Sequence, residues 1–585
     1  MKTDEQEFSF KGLFVPFTTL KAIHWIVIIG FIVYFNSLFN GFVWDDIAYI
    51  LYNPPLRSFD IITILGKNLF NLAGQYRPIA SFYFTLMFML FRDTAFFYHL
   101  ASMIFHIINS ILVFFLFKKF LKLHLSFFLT LIFLTHPMQV ESVTFAAVAG
   151  DKFFFLFGLL ALLLFFKKRI SIKRGIAISS LLLLSLLSKE TGILFLILIC
   201  AYGVFYKKAN PLLLTIISIS VGTLYAILRF GIGGIYFIPQ SMIVPIARLS
   251  LGQRLINIPE IFLYYLKTFF FPSQLIIMQY WIVKIKDFQN FYFPLFIVFF
   301  FLLICLITGI SLYKKNSKLL KFFIFFFVWF LLGLIMHLQI FSLDMTVADR
   351  WFYFPIVGLI GMIGVVIQSL NPRYLNVKYL TIILWTCAGV VLLTLSVRTI
   401  VRNVDWHDNL TLLTHDSKIL DNYNLENNIG WDYQQTQDWP DALNHYKKSV
   451  ALFPFAENLN NLAHTYIMLN DMGQARVIFY KVLDSSDYQP EGYSNQLAFS
   501  SYFVLYNYSP EIAKDFISKA LIKSPNNGYL WADLAICEYR LGNKSDAIYS
   551  ANKAKSLISA PAVIYLYNLI ISGREIPKNI NITWQ

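Results

Sequence analysis

Apolar segments long enough to cross a membrane follow one another from residue 20 to about residue 400. An α-helix needs about 20 predominantly apolar residues to span the hydrocarbon core of a bilayer. The composition agrees, because 57% of the residues are hydrophobic and only 14% are charged, whereas soluble domains carry about 25% charged residues. The pattern predicts an all-α polytopic membrane protein with about eleven spans. The predicted spans fall at 20–40, 98–117, 124–136, 152–166, 175–188, 191–206, 211–229, 291–312, 321–337, 353–370 and 379–397.

The placement of the basic residues predicts how these spans are oriented. The net charge is +15, and lysines and arginines concentrate in short segments between spans, as they do in cytoplasmic loops. A cytoplasmic N-terminus then places the loops 41–97, 136–151 and 230–290, and everything after about residue 400, on the external side. Nucleic-acid binding would instead need a basic patch on a soluble face. The basic clusters lie at 118–122, 167–174, 207–208, 313–321 and 371–378.

The part of the chain after residue 400 contains an internal repeat. Alanines at 442, 475, 513 and 547 are separated by 33, 38 and 34 residues, close to the 34-residue period of tetratricopeptide repeats. Small residues at these positions let paired helices approach closely. We therefore predict a transmembrane domain at 1–400, a connector at 401–425, about four tetratricopeptide repeats at 426–570 and a tail at 571–585. Such arrays form grooves that bind extended peptides, and a role in assembly alone is the alternative.

Two adjacent acids, Asp45 and Asp46, follow the first predicted span in the stretch NGFVWDD. Neighbouring carboxylates repel each other unless a proton, a cation or a cationic side chain compensates. A solvated loop end or a helix cap is the ordinary explanation for such an acid. An external carboxylate held at the bilayer surface is also suited to accept a proton from a hydroxyl nucleophile. The pair is therefore a candidate catalytic or cation site.

Further charged residues fall on the same predicted side of the membrane. Arg77 is suited to bind a phosphate bidentately, or it contacts lipid headgroups. His136 and Glu141 are metal-type ligands, but two ligands alone are weak support for a metal site. Lys189 and Glu190 interrupt an apolar run, where charges are costly and are either functional or neutralise each other. An Asp-Arg pair that opens the tenth predicted span is an ion pair or a second phosphate contact. The candidates besides the Asp pair are thus Arg77, His136, Glu141, Lys189, Glu190 and Arg350.

The ordered motifs resemble those of a known family. The segments WDDIAYILYNPPL, YRPI, HPMQVESV, LLSKETG and DRWFYFP occur in this order, and the repeats follow. This arrangement resembles the transmembrane and tetratricopeptide-repeat (TMTC) type of protein O-mannosyltransferases and their bacterial relatives, which are GT-C class membrane glycosyltransferases. Two positions depart from the family pattern. Gly150-Asp151-Lys152 stands where a Gly-Arg pair is expected, and Asp349 and Trp351 stand where Glu and Tyr are expected.

The resemblance implies a GT-C fold, a polyprenyl-phosphate-linked sugar as the donor substrate, and transfer on the extracytoplasmic face. It implies that Asp45 and Asp46 are the catalytic acids, with Asp45 in the position of the essential acid of the first external loop. No further cofactor follows from the motifs, and a divalent cation bound by Asp46 and Glu141 stays an alternative. The residues implied to bind the donor phosphate and sugar are Arg77, His136, Glu141, Lys189, Glu190 and Arg350.

These features together predict transfer of a sugar to a Ser or Thr hydroxyl of an exported polypeptide held by the repeats. The predicted location is a bacterial inner membrane, with the N-terminus in the cytoplasm and the repeats in the periplasm. The predicted partners are the lipid-linked sugar, the polypeptide and membrane lipids, and not nucleic acid. The alternatives are a non-catalytic membrane-anchored scaffold and a GT-C enzyme that glycosylates a lipid-linked glycan. A transporter would place ionisable residues near the middle of its spans and not at their external ends.

Overall fold

Every regular element that the structure describes is a helix. The computed structural model describes residues 17–57, 59–66, 75–167, 170–206, 211–234, 244–370, 378–485, 490–577 and 580, and no strand occurs among them. The chain forms two compact units, Met1–Pro239 with Leu249–His415, and Gln240–Arg248 with Asp416–Gln585. The division after His415 lies within the predicted connector 401–425. The basic cluster 207–208, most of the cluster 371–378 and the last residues of the tail lie outside the described residues.

The helices of the first unit begin and end by ordinary local rules. The hydroxyls of Thr18 and Ser171 cap two of them by accepting hydrogen bonds from the backbone N–H groups of Lys21 and Arg174. The helices are α1 (Thr19–Tyr34), α2 (Ile61–Gly66), α3 (Pro78–Phe91), α4 (Ala95–Phe120), α5 (Leu123–Thr135), α6 (Val140–Thr144), α7 (Ala149–Phe165), α8 (Ile172–Ser188), α9 (Ile193–Phe205), α10 (Pro211–Ala226), α11 (Leu251–Phe270), α12 (Phe293–Lys315), α13 (Ser317–Ile335), α14 (Pro355–Ser369), α15 (Lys378–Asp405) and α16 (Asn409–Ser417).

Seven helical segments of the described residues are long and apolar enough to cross a membrane, and an eighth arises if one bent pair is a single span. They coincide with predicted spans and confirm an all-α polytopic membrane protein. Three further predicted spans correspond to the shorter helices α8, α9 and α14, so the count of eleven stays a prediction. The seven segments are Thr19–Phe39, Ala95–Phe120, Ala146–Phe165, Pro211–Ile232, Phe288–Lys315, Ser317–Ile335 and Trp385–Asp405.

The bent pair has a local cause in the dipeptide His136-Pro137. The two helical pieces, Leu123–Thr135 and Pro137–Thr144, meet at an angle of 53°. Proline disfavours the α conformation in the residue before it, and His136 is accordingly extended, with ψ 129°. The second piece ends in α6, which packs against the 3₁₀ turn Asp349–Phe352. The bend thereby places Glu141 beside that turn.

Glycines on α14 allow this helix to lie directly against α13. A Cβ atom on Gly358 would lie 2.5 Å from the backbone nitrogen of Phe330. A Cβ atom on Gly361 would lie 2.2 Å from the ring of Phe326. Because backbone atoms cannot rotate aside as a side chain can, the close approach depends most strictly on Gly358.

Replacing Gly358 by Ala is expected to destabilise the first unit by about 1–3 kcal/mol, the usual cost of overpacking an interior. The added methyl group has to displace the backbone of α13. The measurement is thermal unfolding of the purified full-length chain in detergent. Gly389→Ala is the matched control, because nothing lies within 4 Å of a Cβ atom there and alanine favours a helix more than glycine does. Equal unfolding temperatures for the two variants would contradict the packing described.

The second unit is a series of helices in which sequence neighbours pack on each other. The four repeat alanines, at 442, 475, 513 and 547, are fully buried. In the first pair, a Cβ atom on Gly430 would lie 2.8 Å from the ring of Tyr446, so a small residue is needed there too. The arrangement supports repeated helical hairpins, and their assignment as tetratricopeptide repeats stays a prediction. The helices are α17 (Tyr423–Gln435), α18 (Trp439–Leu452), α19 (Ala456–Met468), α20 (Met472–Asp484), α21 (Pro490–Asn507), α22 (Pro510–Lys523), α23 (Gly528–Arg540), α24 (Lys544–Leu557) and α25 (Pro561–Ile571).

Candidate active site

The loop that carries the two adjacent acids has an unusual backbone at Trp44. Its φ is +47°, a left-handed conformation that is rare for a residue with a large side chain. Two contacts hold it there. The Trp44 backbone N–H donates to Oδ1 of Asn409 at 2.8 Å, and the indole stacks on the Phe145 ring with centroids 5.7 Å apart. Backbone strain that the surroundings enforce is frequent at functional sites, and here it directs the two carboxylates that follow.

The Asp46 side chain points into the protein and is fully buried. Its Oδ1 accepts a hydrogen bond from the backbone N–H of Ala147 at 2.5 Å, and its Oδ2 accepts one from that of Val43 at 3.2 Å. Asp46 therefore ties the loop after α1 to the turn before α7. With both oxygens engaged, it is placed to position the loop and not to contact a substrate.

Asp45 has a different environment, because its side chain is only partly buried. Among the residues that the structure describes, neither oxygen of its carboxylate has a hydrogen-bond partner. Burial raises the pKa of Asp45 to about 6, the charge of Arg350 lowers it, and the charge of Asp344 raises it. A carboxylate with available oxygens and a pKa near neutrality suits a general base.

The surroundings of the two acids separate their pKa values. Burial raises the pKa of Asp46 to about 8, the backbone N–H groups of Ala147 and Val43 lower it, and the charge of Asp45 raises it. Asp45 therefore ionises before Asp46 as the pH rises, and the first negative charge of the pair lies on Asp45 while Asp46 keeps its proton. This distribution removes most of the repulsion between the adjacent acids.

A buried ion pair between Glu141 and Arg350 lies within electrostatic reach of Asp45. One carboxylate oxygen of Glu141 accepts a hydrogen bond from the Arg350 guanidinium, and the other accepts one from the Arg350 backbone N–H at 2.9 Å. Arg350 Nη2 also lies 4.0 Å from Oδ2 of Asp344. The guanidinium is thus fixed in place, and its charge favours the ionised form of Asp45.

A second buried ion pair joins Lys189 to Asp151. It depends on the close packing of α7 against the end of α8, because a Cβ atom on Gly150 would lie 2.8 Å from a backbone carbonyl oxygen of α8. The neighbouring Lys152 donates to the carbonyl oxygen of Ser142 at 2.5 Å. Asp151, which stands at a position that departs from the family pattern, is therefore the counter-ion of Lys189.

Glu190 holds two arginines in place. Its Oε2 accepts from Nε of Arg77 at 3.1 Å, and its Oε1 lies 3.4 Å from Nη1 of Arg229. The backbone N–H of Tyr76 also donates to Oε1, at 3.1 Å. The Arg77 side chain is 21% exposed, whereas that of Arg229 is 5% exposed. Among the cations in these pairs, Arg77 is therefore the most accessible to a ligand.

The ion pairs and Asp45 form one charged cluster. The charges of Arg77 and Arg350 both act on Lys189. Tyr49 lies within electrostatic reach of Asp45, Arg77 and Arg350. The structure therefore brings together the Asp45 carboxylate, which has no hydrogen-bond partner among the described residues, and four cations that are each already oriented by a carboxylate.

His136 has a different environment from the other predicted site residues. Its Nε2 bonds with the carbonyl oxygen of Phe269 at 2.9 Å, and its Nδ1 accepts from the backbone N–H of Met138 at 3.3 Å. The imidazole also stacks on the Phe269 ring, with centroids 5.2 Å apart. Both ring nitrogens are thus engaged with the backbone at the end of α11 and at the bend after α5. A direct role of His136 in donor binding stays a prediction.

The two acids that the sequence suggested as a cation site are both engaged in hydrogen bonds, and binding of a divalent cation by them stays a prediction. Asp46 and Glu141 each have both carboxylate oxygens occupied by hydrogen-bond donors. The described parts of the chain contain no group of three or more His, Cys, Asp or Glu residues that could hold a metal ion.

Comparison with known proteins identifies proteins that are similar to this chain. No protein-family model matches it. It is 32% identical over 206 residues to a human protein named Protein O-mannosyl-transferase TMTC3, across 33% of this chain and 22% of the relative. It is 23% identical over 451 residues to Protein O-mannosyl-transferase F38B6.6 of Caenorhabditis elegans, across 74% of this chain and 63% of the relative. The chain is a homologue of the TMTC-like proteins.

The homology confirms the TMTC-like resemblance of the ordered motifs. The matched part of the chain spans less than two thirds of either relative's own length. Three residues that contribute to the site were not identified from the sequence. Asp344 precedes the motif DRWFYFP by a few residues, and Arg229 is a charge at the end of an apolar run, the signal that singled out Lys189. Asn409 lies in the polar stretch RNVDWHDN after the last predicted span, where the motifs above offer no signal.

Proposed function

We propose that this chain is a GT-C class membrane glycosyltransferase. It moves a sugar from a polyprenyl-phosphate donor to a Ser or Thr hydroxyl of an exported polypeptide, on the extracytoplasmic face of a bacterial inner membrane. The observation that carries the proposal is the Asp45 carboxylate, which has no hydrogen-bond partner among the described residues and lies within electrostatic reach of the fixed guanidinium of Arg350. Support also comes from the names of the homologues, which are protein O-mannosyl-transferases.

In the proposed reaction, one carboxylate oxygen of Asp45 takes the proton of the acceptor hydroxyl. The hydroxyl oxygen attacks the anomeric carbon of the sugar as the bond from that carbon to the phosphate oxygen breaks. The lipid phosphate leaves with the electron pair of that bond, and attack from the opposite face inverts the anomeric configuration. A phosphate is a good leaving group and needs no strong general acid, so one base and nearby cations suffice.

The cations of the cluster have different parts in this reaction. Arg77 is the most exposed of them and is held by Glu190, so it is the guanidinium best placed to bind the donor phosphate. Lys189 and Arg350 are more deeply buried, and their charges stabilise the leaving phosphate electrostatically. The helices of the second unit bind the acceptor polypeptide in this proposal, as tetratricopeptide arrays commonly do.

The experiment is sugar transfer by the purified full-length chain in lipid nanodiscs. Polyprenyl-phosphate sugars are supplied as donors, and peptides containing Ser or Thr, or lipid-linked glycans, are supplied as acceptors. Mass spectrometry is expected to show a sugar attached to a hydroxyl of the peptides. Transfer to the lipid-linked glycan alone would favour that alternative activity. No transfer with any of these pairs would favour a non-catalytic scaffold.

The rate of transfer is expected to fall as the pH decreases through about 6, because Asp45 must be ionised to act as a base and burial raises its pKa to about 6. The charge of Asp344 contributes to that rise, so Asp344→Asn should move the acid limb of the profile to lower pH. The measurement is kcat/KM against pH. Asp546→Asn, at an exposed acid of the second unit, should leave the limb in place. A shift of the limb to higher pH in Asp344→Asn would contradict this assignment.

A further inference from the structure

A cleft of about 450 Å³ lies between α11 and the segment 281–290 of the first unit. The segment is held against α11, because the backbone N–H of Val283 donates to Oδ1 of Asn257 at 2.6 Å. The volume falls within the range of about 300–1,000 Å³ that is usual for ligand pockets. The lining combines an indole, aliphatic side chains and several charges: Glu260, Tyr264, Trp281, Ile282, Val283, Lys284, Ile285, Asp287 and Asn290.

A chain of hydrogen bonds connects this cleft to the candidate active site. The indole N–H of Trp281 donates to Oε1 of Gln279 at 3.1 Å. Nε2 of Gln279 donates to the Tyr264 hydroxyl at 2.6 Å, and that hydroxyl donates to Oδ1 of Asp349 at 2.6 Å. Asp349 directly precedes Arg350 in the 3₁₀ turn that packs against α6. The cleft and the charged cluster are therefore parts of one connected polar structure.

Glu260 has an unsatisfied carboxylate oxygen at the cleft. Its Oε2 is buried and has no hydrogen-bond partner in the part of the chain that the structure describes. Burial raises the pKa of Glu260, while the charge of Lys267 lowers it. A buried acceptor without a donor is costly, so the Glu260 carboxylate gains most if it turns Oε2 toward a ligand in the cleft that brings an N–H donor or a positive charge. Asp287 differs, because its carboxylate accepts from the backbone and the side chain of Asn290 at 2.6 and 2.8 Å.

The charges of the lining select among ligands. Two carboxylates, Glu260 and Asp287, face one ammonium, Lys284. That balance disfavours a phosphate group and favours a cation. The indole of Trp281 adds a face on which a cationic side chain can lie, and the aliphatic residues accept the methylene groups of a Lys or Arg side chain.

We infer that this cleft holds the acceptor polypeptide next to the modified Ser or Thr, with a basic side chain of the acceptor directed to Glu260. This inference rests on the proposed transfer to a polypeptide and adds a residue preference to it. Acceptor sites would accordingly lie close to a Lys or Arg in the polypeptide.

The test measures peptide binding in the absence of a sugar donor. Fluorescent peptides containing one Thr flanked by Lys, by Ala or by Glu are titrated into the full-length Asp45→Asn chain in nanodiscs. The Lys-flanked peptide is expected to bind at least about tenfold more tightly than the Glu-flanked peptide, as a charge-assisted hydrogen bond implies. Adding Glu260→Gln should weaken binding of the Lys-flanked peptide about tenfold and leave the Ala-flanked peptide unchanged. Adding Trp281→Ala should also weaken binding of the Lys-flanked peptide.

Glu575→Gln, at an exposed glutamate after the end of α25, is the matched control and should change none of these affinities. Equal affinities in the parent and in both cleft variants, or no binding of any peptide to the parent, would overturn the inference. If Glu260→Gln transfers sugar to the peptides with the same KM for the peptide as the parent, the cleft does not bind the acceptor, and the proposed function still holds. Cleft-dependent binding without transfer by the chain with native Asp45 would reject the proposed function and leave a polypeptide-binding cleft.

Discussion

The Asp45→Asn chain is expected to transfer sugar at least about a hundredfold more slowly than the parent chain, the usual contribution of a general base. The amide cannot take the proton of the acceptor hydroxyl. Folding should be little affected, because the Asp45 carboxylate has no hydrogen-bond partner among the described residues. The measurement is kcat with saturating donor and peptide, together with the unfolding temperature.

Asp46→Asn is the matched variant, one residue away and with the same replacement of a carboxyl group by an amide. Asp46 accepts from two backbone N–H groups, and an amide can accept with its oxygen only. One buried N–H then loses its acceptor, which is expected to cost about 1–3 kcal/mol of stability. Because both Asp46 oxygens are engaged by backbone N–H groups and Asp46 keeps its proton to a higher pH than Asp45, its replacement should reduce transfer far less than Asp45→Asn does. A fully active Asp45→Asn chain, or an inactive but stably folded Asp46→Asn chain, would contradict the roles assigned here.

Arg350→Met is expected to destabilise the first unit by about 3–5 kcal/mol, the cost of breaking a buried ion pair on one side. It leaves the Glu141 carboxylate buried without its guanidinium partner, and both residues are nearly inaccessible to solvent. Transfer should be lost as well, because Arg350 no longer lowers the pKa of Asp45 or stabilises the leaving phosphate. The measurement is denaturant unfolding of the purified chain in detergent, with the transfer assay run in parallel.

The double variant Glu141→Gln with Arg350→Met separates stability from activity. Removing both charges abolishes the unpaired carboxylate, so the double variant should be more stable than Arg350→Met alone. It should remain inactive, because no guanidinium faces Asp45. If the double variant loses as much stability as Glu141→Gln and Arg350→Met lose together when measured singly, the two side chains do not interact. Recovered transfer would show that Arg350 serves only to neutralise Glu141.

The sequence predicts the helical framework well because the signal for a span is local. The run at 98–117 lies within α4, Ala95–Phe120, and the dipeptide His136-Pro137 coincides with the 53° bend. The shorter runs that became α9 and α14 show where this signal weakens, since hydropathy alone does not decide whether a short helix crosses the membrane.

The pairing of charges could not be read from the sequence. Glu141 and Arg350 are 209 residues apart, and only the packing of α6 on the 3₁₀ turn Asp349–Phe352 brings them together. The sequence also left open which of the two adjacent acids is the base. The left-handed backbone at Trp44 and the burial of Asp46 distinguish them, and neither feature is visible in the letters WDD.

The central claim is that Asp45 removes the proton of a Ser or Thr hydroxyl as the sugar leaves its lipid phosphate. The most direct measurement is mass spectrometry of acceptor peptides after incubation with a polyprenyl-phosphate sugar and the parent, Asp45→Asn or Asp46→Asn chain. The account predicts a sugar on Ser or Thr with the parent chain, a reduced but clear amount with Asp46→Asn, and essentially none with Asp45→Asn. Undiminished modification by the Asp45→Asn chain would contradict it.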